Sequence, residues 1–165
     1  MDINVEIRQA SMDDLDAVTA VERACFPEAE AADRESMEKR LALFGPSFMV
    51  VVNKENNTII GLINGTVSNA DTISDEMYED IKYDVRADYQ MIFGLDVLPE
   101  YRCRGIAEML MNAMIKLAWD EGRRGLVLTC KEGLIGYYEK FGYVNKGVSK
   151  SVHGGALWYD MVLTF

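Results

Sequence analysis

Apolar positions in this chain switch repeatedly between a two-residue and a 3.6-residue period, and each switch marks an element. Residues 5–9 alternate and predict an opening strand. Ser11 then stands before Met12-Asp13-Asp14, an N-cap followed by acids in the first turn of a helix reaching about Cys25. Pro27 stops that helix, and residues 28–33 lead to a second short helix over 34–43. Residues 48–52 and 58–68 predict an antiparallel hairpin around the turn cluster Lys54-Glu55-Asn56-Asn57. Residues 69–88 are strongly acidic, and Met77, Tyr78 and Ile81 place a short helix among them. Met91, Phe93, Leu95 and Val97 alternate as one strand over 90–97. Ile106, Met109, Leu110, Ala113, Met114, Leu117 and Ala118 form the stripe of an amphipathic helix running to about Glu121 and closed by Gly122. A buried strand over 125–130, a helix over 134–140 and strands over 143–149 and 157–163 complete the chain. This order predicts an α/β fold with a mixed central sheet flanked by helices. No repeat or linker divides the 165 residues, so a single domain over 1–165 is expected.

The stretch Leu95 to Ala107 carries the clearest candidate chemistry. It reads as strand, basic turn, helix. Small residues at Gly105 and Ala107 let the backbone be approached closely. The first amides of a helix lack internal partners and point outward. With the helix dipole, and with Arg102 and Arg104 beside them, they suit a phosphate or pyrophosphate. The plainer reading is a tight turn with two solvated arginines. A nucleotide-hydrolase phosphate loop fails, because no Gly-Lys-Ser/Thr closes the turn. A dinucleotide fingerprint fails, because it needs three glycines and Gly105 is the only one between Leu95 and Ala107.

Arg102-Cys103-Arg104-Gly105-Ile106-Ala107 after a strand resembles the acyl-CoA pyrophosphate signature of the GNAT superfamily of N-acetyltransferases. The stretch from Leu128 to Tyr143, with Tyr138-Glu139-Lys140-Phe141-Gly142-Tyr143, resembles the later part of the same fold. Cys25-Phe26-Pro27 and the surroundings of Tyr138 look most like the arylalkylamine (serotonin-type) branch. The resemblance covers nearly the whole chain. It implies a GNAT acyl-CoA N-acyltransferase fold whose sheet strands splay at the active site. It implies that acetyl-CoA is held by the main chain of Cys103, Arg104, Gly105, Ile106 and Ala107, with Arg102 beside them and the strand edge at Leu95, Asp96 and Val97. Phe26 and Pro27 would line an apolar acceptor pocket, with Glu28 and Glu30 at its mouth or in an ordinary solvated loop.

Direct acyl transfer requires a proton for the leaving thiolate and a neutral amine. The resemblance makes Tyr138 the general acid, and a phenol lies close enough to an alkyl thiol in pKa for that transfer. Tyr137 is the competing register, since adjacent helical side chains diverge by about 100°. The serotonin-type enzymes place histidines on the strand before the turn, where this chain has Met91-Ile92-Phe93. The base must be found elsewhere. Glu22 falls on the apolar stripe of Leu15, Val18 and Cys25, where a carboxylate is costly unless paired. It is either an ion-paired acid or stem at the core's edge, or an acid facing the acceptor pocket that works through water. Asp96 is the second candidate base, and bulk water the third. His153 is expected to be structural or superficial, Cys103 and Cys130 to be packing residues, and Trp158 to belong to the core or an interface.

The formal net charge of −10 argues against nucleic acid and anionic membrane as partners and permits a cationic small amine. The acidic segment 69–88 is a solvated face or a loop that covers a cationic substrate. Three cysteines without metal-ligand spacing and a single histidine point to no metal site. No signal peptide or spanning apolar run is evident, so a cytoplasmic protein is expected, as monomer or homodimer. The expected activity is acetyl transfer from acetyl-CoA to a small primary amine. The alternatives are a peptide or protein N-acetyltransferase and a non-catalytic acyl-CoA-binding regulatory module.

Overall fold

Strand β1 (Val5–Gln9) pairs with β2 (Phe48–Asn53), β2 with β3 (Thr58–Asn64), and β3 with β6 (Gly94–Val97). All three pairings are antiparallel. A second sheet contains β4 (Val67–Ser68), β5 (Tyr89–Ile92), β7 (Gly125–Cys130), β9 (Tyr159–Thr164) and β8 (Val144–Val148), in that order. Its β5–β7 pair is parallel and the others are antiparallel, so this sheet is mixed. The helices are α1 (Leu15–Cys25), α2 (Arg34–Leu43), α3 (Asp75–Glu79), α4 (Ile106–Asp120) and α5 (Ile135–Glu139). These elements come from a computed structural model that describes residues 3–165.

Two compact units emerge. The first takes the chain up to Gly65 together with Phe93–Met114, and the second takes Thr66–Ile92 and Ile115–Phe165. The expected single strands over 58–68 and 90–97 are each broken. β3 ends at Asn64 and β4 begins at Val67, while β5 ends at Ile92 and β6 begins at Gly94. The breaks correct the sequence reading and have one physical cause. Each stretch changes its pairing partner part-way, so the ladder cannot run on even though the apolar alternation does.

In the first unit, α1 packs against β3 and β6. Val18, Val21, Met37, Phe48, Val50, Leu62, Ile63 and Leu110 form the core. Ser11 and Asp14 build a capping box at the start of the α1 region. Asp14 also takes two bonds from Arg8, at 2.8 and 2.9 Å. In the second unit, Met91, Leu126, Val127, Met161 and Tyr143 are buried. The expected short helix in the acidic segment is α3.

Candidate acyl-CoA and acceptor site

β6 is the terminal strand of its sheet. Leu98 N–H donates to Ile60 O across the β3–β6 pair. Antiparallel residues alternate between facing the partner strand and facing away. Leu95 and Val97 therefore turn their N–H and C=O groups to the outer edge. Val97 O accepts from Arg102 Nε at 3.0 Å and from Cys25 Sγ at 3.3 Å.

Beyond β6 a short helical turn, Pro99–Tyr101, leads into Arg102. Cys103 and Gly105 both have positive φ, 62° and 80°. A non-glycine residue in this region is strained by about 1–3 kcal/mol. Arg102 before them is extended, with φ −71° and ψ 161°. Ile106 then opens the 15-residue α4. A Cβ on Gly105 would meet nothing within 4 Å, so the space over the turn is open. Arg104 lies 5.6 Å from the Tyr101 ring centroid. The main chain of Cys103 to Ala107, with Arg104, fits a pyrophosphate. Arg102 is partly spent on Val97 O. Cys103 is exposed, not a packing residue, because the left-handed turn lifts it off the surface, whereas Cys130 is buried as expected. Burial pushes the Cys130 thiol up to about 11, and burial likewise raises the Cys25 thiol, so neither is a ready nucleophile.

On the α1 side of the same strand lies a buried polar cluster that the sequence only partly disclosed. Glu22 is 4% exposed and Asp96 1%. Glu22 is thus well inside and not a stem at the core's edge. Its Oε2 accepts from Ala32 N at 2.8 Å, which ties the loop between α1 and α2 to the end of α1. Asn64 and Arg40 join the cluster, with Arg40 Nη1 donating to Asn64 Oδ1 at 3.1 Å. The Arg40 guanidinium also lies 5.2 Å from the Phe93 ring, and Phe44 meets that ring edge-on at 5.9 Å. Burial, and then the charge of Glu22, hold the Asp96 carboxyl well above the usual carboxylate range. Nothing in the sequence separates Arg40 from Lys39 in the polar helix α2. Asn64 had a signal, as the polar end of the apolar run Ile59–Ile63.

Phe26 is half-buried and Pro27 exposed. Pro27 O accepts from both Glu30 N and Ala31 N, closing a turn after α1.

In the second unit Tyr138 is buried on α5, its ring 5.2 Å from Tyr137 and 5.9 Å from Tyr143. Tyr137 is half-buried and faces Phe141 at 5.4 Å. Burial, and then Tyr138, push the Tyr143 phenol up. His153 stacks on Tyr78 at 4.8 Å, and its carbonyl accepts from Trp158 Nε1. The acidic segment walls a pocket of about 590 Å³ with Glu76, Glu79, Asp80, Asp84 and Lys82. Among the described residues no group of three or more His, Cys, Asp or Glu is placed to hold a metal ion. No helix among them is long and apolar enough to cross a membrane.

The model of the Acetyltransferase (GNAT) family matches residues 15–143. The chain belongs to the GNAT family of acetyltransferases. Its fold is the GNAT fold, with sheets flanked by helices. The loading GNATL domain of CurA from Lyngbya majuscula superposes with a TM-score of 0.83 at 13% identity, over 98% of each chain. NAA60 of Arabidopsis thaliana, in complex with acetyl-CoA, gives 0.74 at 20% identity, over 98% of this chain and 100% of that one. The ribosomal-protein-S18-alanine N-acetyltransferase of Escherichia coli gives 0.73 at 15% identity, over 98% and 94%. Among curated protein sequences none matches the chain. At such identities these likenesses establish the GNAT fold and leave the acceptor to the chemistry of the site.

Proposed function

We propose that this GNAT chain acts as a single acetyltransferase domain over 1–165 and moves an acetyl group from acetyl-CoA to a small primary amine, arylalkylamine or similar. One observation carries the reading. The terminal strand of a sheet runs into a two-arginine turn with left-handed Cys103 and Gly105 at the head of a long helix, and a buried pair of acids stands behind that same strand. The N–H and C=O of Leu95 and the N–H of Val97 offer the amides of the pantetheine arm bonds that another strand would make, while Val97 O is taken by Arg102 and Cys25. The amides of Cys103 to Ala107 take the pyrophosphate. A main-chain N–H of β6 meets the thioester carbonyl and stabilises the oxyanion. Tyr138 is assigned the proton for the departing thiolate. Glu22, with Asp96, is assigned the proton of the amine. Phe26 and Pro27 provide the apolar wall that an arylalkyl group needs. Attack is direct, within a ternary complex, and uses no metal. The protein would work in the cytoplasm, as monomer or homodimer, with no nucleic acid and no membrane as partner.

A second reading replaces the amine by a peptide N-terminus. The E. coli enzyme, by name an acetyltransferase of a ribosomal protein, and the acidic pocket of the second unit support it.

The test is CoA-thiol release from acetyl-CoA with phenylethylamine, tryptamine, spermidine, lysine and a short basic peptide, between pH 6 and 9. Turnover on the arylalkylamines supports the first reading and turnover on the peptide the second. Tight acetyl-CoA binding without any turnover would overturn both in favour of a binding module.

A further inference from the structure

Val97 O is an acceptor at the outer edge of β6, and it is full. A carbonyl oxygen carries two lone pairs. One receives Arg102 Nε at 3.0 Å and the other Cys25 Sγ at 3.3 Å. An extended arm laid along this edge meets donors at Leu95 and Val97 but an acceptor at Leu95 only. An amide N–H placed against Val97 O would lose its water and gain no partner, which is costly.

The two donors are not equally fixed. Cys25 is half-buried and closes α1. Phe26 N donates to Glu22 O at 3.1 Å, which keeps the last turn of the helix around it. Burial raises its thiol, so the thiol stays protonated and remains a donor. Arg102 is exposed. Among the described residues no carboxylate lies within ion-pair distance of it. A pyrophosphate on the amides of Cys103 to Ala107 would bring its guanidinium anionic oxygens, which it binds as a fork. Of the two donors, Arg102 is the one that can leave.

We infer that Arg102 makes the edge of β6 selective for thioesters that carry a pyrophosphate: it competes with the pantetheine arm for Val97 O and gives up that oxygen only when the phosphates draw it away. The inference rests on the acyl-CoA site proposed above. A thioester of bare pantetheine must displace Arg102 unaided, whereas acyl-CoA carries the anion that removes it. No covalent bond changes. Arg102 exchanges Val97 O for phosphate oxygen, and Val97 O exchanges Nε–H for an amide N–H of the arm. Cys25 is the positioning residue, because it keeps its bond throughout and holds the carbonyl in place. Arg104 lies over Tyr101 and takes no part in the exchange.

The test divides the cofactor into halves. S-acetylpantetheine and 3′-phospho-ADP are titrated singly and together, followed by amide chemical shifts, which read binding without turnover. In the wild type, saturating 3′-phospho-ADP is expected to tighten S-acetylpantetheine about fivefold, as for one hydrogen bond. By linkage the reverse titration gives the same factor. Arg102→Ala is expected to bind S-acetylpantetheine about fivefold more tightly than the wild type does, with no further gain from 3′-phospho-ADP. The same variant binds acetyl-CoA more weakly, so one substitution moves the two ligands in opposite directions. Additive halves in the wild type would overturn the inference, because Arg102 would then keep Val97 O and meet the phosphates with its other edge. Unchanged S-acetylpantetheine affinity in Arg102→Ala, or coupling that survives there, would overturn it too. Acetyl-CoA binding with additive halves faults the role of Arg102 alone. No acetyl-CoA binding at all faults the cofactor site, and the inference with it.

Discussion

Arg102 Nε and Cys25 Sγ donate to the same oxygen, the carbonyl of Val97. One carbonyl at the outer edge of β6 thus fixes both the end of α1 and one of the two turn arginines. Arg104 has no such anchor; it lies over Tyr101 at the surface. The two arginines should therefore separate experimentally. Arg104→Ala is expected to weaken acetyl-CoA binding about tenfold, the worth of one charge-assisted bond, and to reduce its salt dependence without moving the melting temperature. Arg102→Ala is expected to weaken binding and also to lower melting by about 2–4 °C. Calorimetric titration at two salt concentrations, beside thermal melts, makes the comparison. Identical melting behaviour would remove the anchor.

Gly105 combines a φ of 80° with open space around the missing side chain. Gly105→Ala should therefore cost backbone strain alone, about 1 kcal/mol, and keep acetyl-CoA binding. Gly105→Glu adds a negative charge where the pyrophosphate is assigned. It should fold and give no heat on titration with acetyl-CoA. Normal affinity in Gly105→Glu would remove this turn from the cofactor site.

Tyr138→Phe keeps the ring packed against Tyr143 and removes only the hydroxyl. The maximal rate should fall by about 10²-fold with little change in acetyl-CoA affinity. Tyr137→Phe should stay near wild type. Steady-state kinetics on both variants decide which register is used, and a reversal would transfer the role to Tyr137.

Asp14 is held below the usual carboxylate range by the bond from Arg8 first, with the Ser11 backbone N–H adding to it. Its folded pKa lies below its unfolded one. The stability it contributes is complete above the ordinary carboxylate pKa of about 4 and is lost as pH falls through the folded value. Arg8 is 40% exposed at the side chain, so solvent screening keeps the pair modest. Asp14→Asn is expected to lower unfolding free energy by about 1 kcal/mol at pH 7 and by less at pH 3, read from urea melts at both pH values.

The long periodic elements were legible because a stripe or an alternation is a direct record of which face is buried. The turn at Arg102 to Ala107 was legible for the same reason, as a change of period with glycine at the junction. The breaks at Phe93 and at Gly65-Thr66 were not, because strand pairing is a main-chain relation and leaves the side-chain alternation intact. Cys103 misled because its exposure follows from a left-handed backbone that non-glycine residues seldom adopt. Glu22 stood out as an acid on an apolar stripe, yet its partners come from three other elements. Asn64 lies 24 residues beyond the Arg40 that bonds it, and no local pattern links them.

The position of β9 has a consequence for biosynthesis. Residues Tyr159–Thr164 lie in the middle of their sheet, between β7 and β8, so the sheet cannot close until they have been made. The acidic segment waits on Ser151 and on Asp160 of β9. Ser151 Oγ donates to Asp75 at 2.5 Å, and Thr72 Oγ1 donates to Asp160 at 2.8 Å. Until β9 is made, β8 lacks its partner and β7 keeps one edge open to other molecules, although β4, β5 and β7 can already pair. A nascent chain halted before Tyr159 would therefore offer itself to chaperones and proteases, however good its first unit.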